Sequence, residues 1–191
     1  MNMLSEEEGK EALRLARDAI EAYIRDGKRI NPDEYKLSPV FDEKRGVFVT
    51  INKQGALRGC IGFPYPVMQL KNAIVEAAIS AASSDPRFPS LSPDELEKIE
   101  LEVTVLTEPI KLDVKPKDRA NAIIVGKHGL IVRNGPYQGL LLPQVALEWG
   151  WDATTFLEQT CLKAGLTPDM WLDEKTDVSI FEGQIFREER H

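Results

Sequence analysis

One of the chain's two cysteines, Cys60, sits in the run Leu57-Arg58-Gly59-Cys60-Ile61-Gly62-Phe63, with a cation two residues before it and glycines on both sides. A guanidinium close to a thiol lowers its pKa and favours the nucleophilic thiolate. Glycine weakens a strand interior, so Gly59 and Gly62 mark a bulge or a place where something comes close to the backbone. Strand alternation puts Arg58, Cys60 and Gly62 on one side and Leu57, Gly59, Ile61 and Phe63 on the other. The second set is apolar and reads as core, so Arg58 and Cys60 are expected to point together, away from it. Two chemistries stay open for Cys60. It is a nucleophile or redox thiol activated by Arg58, or it is a small buried hydrophobe, a common state of free cysteine. No Cys-x-x-Cys pair and no strand-turn-helix nucleophile elbow surrounds it.

A second group follows in Asp85-Pro86-Arg87-Phe88-Pro89. Asp85 can accept from backbone amides, the prolines stiffen the chain, and Arg87 is mounted on that frame. A rigid arginine suits a carboxylate or phosphate ligand, or it simply ties the loop to Asp85. A single helix separates Arg58 from Arg87, so their guanidinium groups are expected to reach one common anion or acidic side chain. Glu100 and Glu102 share the polar face of a strand, a solvated face or an acid–base pair. His128 lies in a glycine-flanked turn, expected exposed and idle, and it has no metal-ligand company. Trp149, Trp151 and Trp171 read as core plugs, and Cys161, at helical spacing with Phe156, Leu157 and Ala164, as core.

The elements that must position these groups are readable from their punctuation. Residues 5–26 form an amphipathic helix: Ser5 and Glu8 make a capping box, and Gly27 ends it. Val47, Val49 and Ile51 alternate with Phe48 and Thr50, and Gln54-Gly55 turns the chain into a hairpin. A helix is expected over about 66–84, with Pro66 in its first turn. Ser92, Pro93 and Glu95 start a short helix, and Ile99, Leu101, Val103 and Val105 line one face of a strand. The charged, proline-containing segment 108–121 is the best boundary between lobes. Beyond it come three short strands within 122–142, a helix from Pro143 to Gly150, and a helix capped by Asp152 and ended by Gly165. A last strand covers about 178–186. The fold class is α+β, with mostly antiparallel sheets and packed helices.

Composition narrows the function classes. The 191 residues are 42% hydrophobic and 29% charged, ample for a packed core, and the net charge of −7 opposes nucleic acid and anionic membrane. The most apolar stretch, Ala73–Ala82, carries Glu76 and is too short to span a bilayer. Two distant cysteines and no recognisable signal peptide point to a reducing, cytoplasmic compartment.

The segments LRGCIG, DPRFP, LEVTVL, VGKHGLIV, GLLLPQVA, EWGWD, FLEQTCLKAGL and WLD, in this order from about Val47 to Phe186, resemble the AMMECR domain family. GLLLPQV and CLKAGL are closest to its archaeal single-domain type. The resemblance implies one domain over 1–191, with a larger lobe of about 1–107 and 178–191, a smaller lobe of about 108–177, and a cleft between them faced by the signature. It establishes no activity and implies no cofactor or metal. Separate Memo-like or radical-SAM proteins are the partners it suggests. Arg58, Gly59, Cys60 and Gly62 match the signature, and Asp85, Arg87 and Phe88 the second motif. Together these readings give a ligand-binding or adaptor domain, monomeric or homodimeric. Arg58, Gly59, Cys60, Gly62, Asp85, Arg87 and Glu102 would receive a small anionic molecule or a partner peptide. The alternative is an enzyme with Cys60 as nucleophile or redox thiol, and a nucleic-acid role comes third.

Overall fold

The computed structural model describes residues 3–189. Its elements are α1 (Glu6–Asp26), β1 (Val47–Lys53), β2 (Ala56–Phe63), α2 (Leu70–Ser83), β3 (Ile99–Leu106), β4 (Ile110–Lys111), β5 (Gly129–Asn134), β6 (Tyr137–Leu141), α3 (Pro143–Trp149), α4 (Ala153–Lys163), β7 (Asp177–Phe181) and β8 (Gly183–Arg187). They form two four-stranded sheets, ordered β2-β1-β3-β8 and β4-β7-β5-β6, so the α+β class holds. The chain divides into two compact units, one ending at Leu106 and resuming at Gln184, the other running Thr107–Gly183. No helix among the described residues is long and apolar enough to cross a membrane.

In the first unit, both helices pack on one face of the sheet. Ala12, Leu15, Ala16, Ala19 and Ile20 of α1 join Leu70, Ile74, Ala77 and Ala78 of α2 over Val47, Val49, Ile51, Leu101, Val103 and Val105. The Ser5–Glu8 capping box opens α1 and Gly27 closes it in the left-handed conformation. Gln54 and Gly55, both at positive φ, turn β1 into β2. The helix expected from 66 begins at Leu70 instead. Residues 67–70 are held against 43–45, with Leu70 N donating to Glu43 O, Arg45 N to Met68 O, and an isolated bridge joining Lys44 to Gln69. The backbone is thus engaged elsewhere before the helix can begin.

In the second unit, Leu130, Val132, Phe156, Leu157, Cys161, Trp171 and Val178 make a separate core. Three strands were expected within 122–142, but there are two. Residues 120–122 form a short 3-10 turn and 125–127 a reverse turn, and β5 starts only at Gly129. The last strand is likewise split. Thr107 N donates to Glu182 O and Glu182 N to Thr107 Oγ1, both at 2.8 Å, which stops β7 one residue before β8. The segment from 178, expected in the larger lobe, is therefore divided: β7 belongs to the second sheet and β8 to the first.

Candidate functional site

β2 is an edge strand, and a bulge decides which way its side chains point. Plain pairing from the Gln54-Gly55 turn would set Ile51 against Arg58 and Val49 against Cys60, turning the thiol toward the helices. Instead the register shifts between Ile51 and Asn52. Asn52 pairs with Leu57, Ile51 with Gly59 and Thr50 with Cys60, leaving Arg58 as the unpaired extra residue. Gly59, Ile61 and Phe63 now share the core face with Val47, Val49 and Ile51, while Cys60 and Gly62 turn to the opposite face. Gly59 is needed there because a Cβ would run into the Ala81 carbonyl oxygen of α2. Leu57, before the bulge, falls out of the pattern and is exposed.

The bulge also sends Arg58 away from the thiol. Its Nε and Nη2 donate to the two carboxylate oxygens of Glu95 at 3.1 and 3.2 Å, and Nη1 donates to Pro89 O at 2.8 Å. Lys53 Nζ reaches the same Glu95 at 2.8 Å, and so does Ser92 N at 2.9 Å. Burial disfavours the Glu95 carboxylate, but Lys53, Arg58 and the Ser92 amide outweigh it and pull its pKa down to about 2. Arg58 is therefore a structural fork between β2 and the loop after α2.

Asp85 and Arg87 clamp the free edge of the signature strand. Cys60 N donates to Asp85 Oδ2 at 2.9 Å, and Arg87 Nη2 donates to Cys60 O at 3.3 Å. Arg87 Nε and Nη2 also hold Asp85, at 3.0 and 2.8 Å. A carboxylate and a guanidinium thus take the donor and acceptor that a further strand would use. The Asp85 side chain is 1% exposed. Arg87's side chain, opposed by burial and aided by the amides of Cys60 and Arg87, holds its carboxyl well below the usual carboxylate range. Among the described residues no acid is shared by Arg58 and Arg87, contrary to expectation: each guanidinium has its own carboxylate, Glu95 for one and Asp85 for the other. Arg87 remains half exposed, with Phe88 beneath its guanidinium.

On the face turned from the helices, one polar row crosses the sheet. Cys60 stands opposite Thr50, with Sγ and Oγ1 3.3 Å apart, and Thr50 stands opposite Glu102. Glu102 Oε1 accepts from Arg187 Nε of β8 at 2.8 Å. In the next row Phe48 pairs with Gly62, and its ring occupies the space that a side chain at 62 would need. The structure so brings Cys60, Gly62 and Glu102 onto one face, with Gly59 on the other and Arg58, Asp85 and Arg87 along the edge. Thr50, Phe48, Glu95 and Arg187 were missed from sequence. Only the bulged register reveals Thr50, and the local sequence around Glu95 signals a helix cap and nothing of its pairing with Arg58.

Outside this face the candidates resolve differently. His128, expected exposed, is buried, and its Nδ1 accepts from Ile124 N at 3.0 Å. Burial pushes its pKa below the ordinary histidine value, against the pull of Glu182. Trp171 is core, but Trp149 is 70% exposed and stacks on Trp151 with ring centroids 6.0 Å apart. Cys161 is fully buried, which pushes its thiol up to about 11. No cluster able to hold a metal occurs among the described residues.

Comparison with known proteins covers nearly the whole chain. A family model described as AMMECR1 matches residues 13–186. A Methanosarcina barkeri protein is 55% identical over 188 residues, spanning 97% of this chain and 93% of its own. A Methanothermobacter thermautotrophicus protein is 54% identical over 188 residues, spanning 97% of each. The crystal structure of an uncharacterized protein from Pyrococcus horikoshii superposes with a TM-score of 0.78 at 50% identity, over 97% of this chain and 94% of that one.

Proposed function

The chain belongs to the AMMECR1 family, and on that premise we propose that it is a binding domain. Its recognition surface is the outward face of the first sheet around Cys60, and a partner peptide is its occupant. One observation carries the reading: Cys60, Thr50 and Glu102 lie in register across three strands, beside an edge that Asp85 and Arg87 close. The clamp blocks backbone pairing at Cys60, in the middle of the edge strand, and leaves side chains to do the selecting there. A small free anion fits less well. That version rests on two available guanidinium forks, and both are spent on Glu95 and Asp85. Arg87 is half exposed, so an anionic group meets one partly engaged guanidinium there, a weak hold by itself that needs the other side-chain contacts of a peptide beside it.

The enzyme reading loses the activator assigned to it, because Arg58 is bound to Glu95, and the cation that Cys60 does sense, Arg87, is itself paired with Asp85. The side-chain partner of Cys60 is a hydroxyl, and a hydroxyl does not take up a thiol proton as a general base does. A thermal-shift screen of acidic and neutral peptides, with inorganic phosphate and acetate as free-anion controls, tests the proposal. A binder of the folded state must raise the melting temperature. Peptide hits are expected to shield Cys60 from iodoacetamide and to weaken in Glu102→Gln. Hits that leave the alkylation rate unchanged overturn the assignment of this face, and phosphate alone acting as the hit restores the free-anion version.

A further inference from the structure

The second unit holds a buried cation that no carboxylate among the described residues touches. Arg119 is 4% exposed. Its Nη1 donates to the carbonyls of Trp171 and Asp173 and its Nη2 to the carbonyl of Thr176, all neutral acceptors. Its Nε is buried with no acceptor among the described residues. Asp177 and Asp173 act on the guanidinium only through space, and burial pushes its pKa below the ordinary arginine value. Burying a charge is costly unless a counter-charge offsets the lost hydration, and the described residues supply none in contact.

Arg119 also lines an open pocket of about 450 Å³, a size in the range of small-molecule sites. On its rim Lys111 and Asp177 are closed on each other at 2.9 Å. That leaves Lys115 to join Arg119 in favouring a negative group, and Asp113 and Glu174 to favour a positive one. Leu112 and Val114 supply an apolar wall. We propose that this pocket binds a small zwitterion of the α-amino acid class with an aliphatic side chain. The carboxylate lies toward Lys115 and the buried charge of Arg119, the ammonium toward Asp113 and Glu174, and the side chain against Leu112 and Val114. Nε is covered, so the ligand senses Arg119 through space, across a medium where charges are felt more strongly than in water. The site is built wholly from residues 107–183 and does not depend on Cys60.

Amide NMR of the whole chain titrated with L-leucine, isocaproate and isoamylamine reads this directly, since the last two each lack one of leucine's charges. Leucine is expected to shift amides within 111–119 and 174–177 and to bind more tightly than either analogue. Lys115→Gln and Glu174→Gln should each raise the leucine Kd roughly threefold, the scale of one exposed charge, with melting unchanged. These rim variants serve because Arg119 ties down residues 171–176 and its replacement can unfold the unit. No shift in the pocket, an analogue binding as well as leucine, or rim variants binding like wild type each overturns the proposal.

Discussion

At Gly59 the backbone of β2 comes so close to α2 that an added methyl group meets the Ala81 carbonyl oxygen, part of a helix that cannot step aside. At Gly62 the obstacle is the Phe48 ring, which can swing. Gly59→Ala should therefore cost about 1–3 kcal/mol by overpacking, and Gly62→Ala distinctly less. Urea melts of the two variants compare them, and equal losses would contradict the geometry. Cys60→Ser should leave stability nearly intact, because the thiol is only half-buried and already faces the Thr50 hydroxyl. The acid limit follows from Glu95 and Asp85, whose folded pKa values are depressed. Such carboxylates stabilise fully above their unfolded values, near 4, and lose that contribution as pH falls through their folded values. For Glu95 the window is about pH 4.5 down to about 2. Glu95→Gln should flatten the fall in melting temperature across it.

Among the elements, much was legible. The capping box of α1, the alternation of β1 and β3 and the Gln54-Gly55 turn are local signals, and local physics decides them. The bulge was not legible as a register. Its consequence depends on β1 and on Glu95, well over thirty residues further along, capturing Arg58. The Cys60 backbone clamp was hidden for the same reason, since Asp85 and Arg87 meet it only after α2 returns the chain. Deleting Arg58 is an informative test, because the remaining residues of β2 then pair with β1 in the same register without a bulge. The variant should keep Cys60 as accessible to iodoacetamide as in wild type. It should lose about 1–3 kcal/mol through Glu95, left with one cation instead of two. In the second unit, the apolar run Ile123-Ile124-Val125 imitates a strand, yet His128 Nδ1 ties it into a turn. The folded His128 resists protonation, so its contribution is whole above about pH 6.5 and erodes as pH falls below it. His128→Asn, whose carbonyl can accept the same amide, should remove that erosion from a pH series of melts.

For the whole molecule, the second unit is an insertion between β3 and β8, with its own sheet and core. A segment with that organisation should fold when expressed alone, giving dispersed amide NMR resonances. The hydrogen bonds between Thr107 and Glu182 bind the two ends of the insertion together. This pinch has a consequence for the order of events during synthesis. β8 emerges last and must find the sheet across the whole of residues 107–183, a long loop to close. If the insertion has already folded, its ends arrive as neighbours and the effective loop shrinks to a few residues, an advantage of about 3 kcal/mol. A nascent chain would then finish its first sheet only after completing its second.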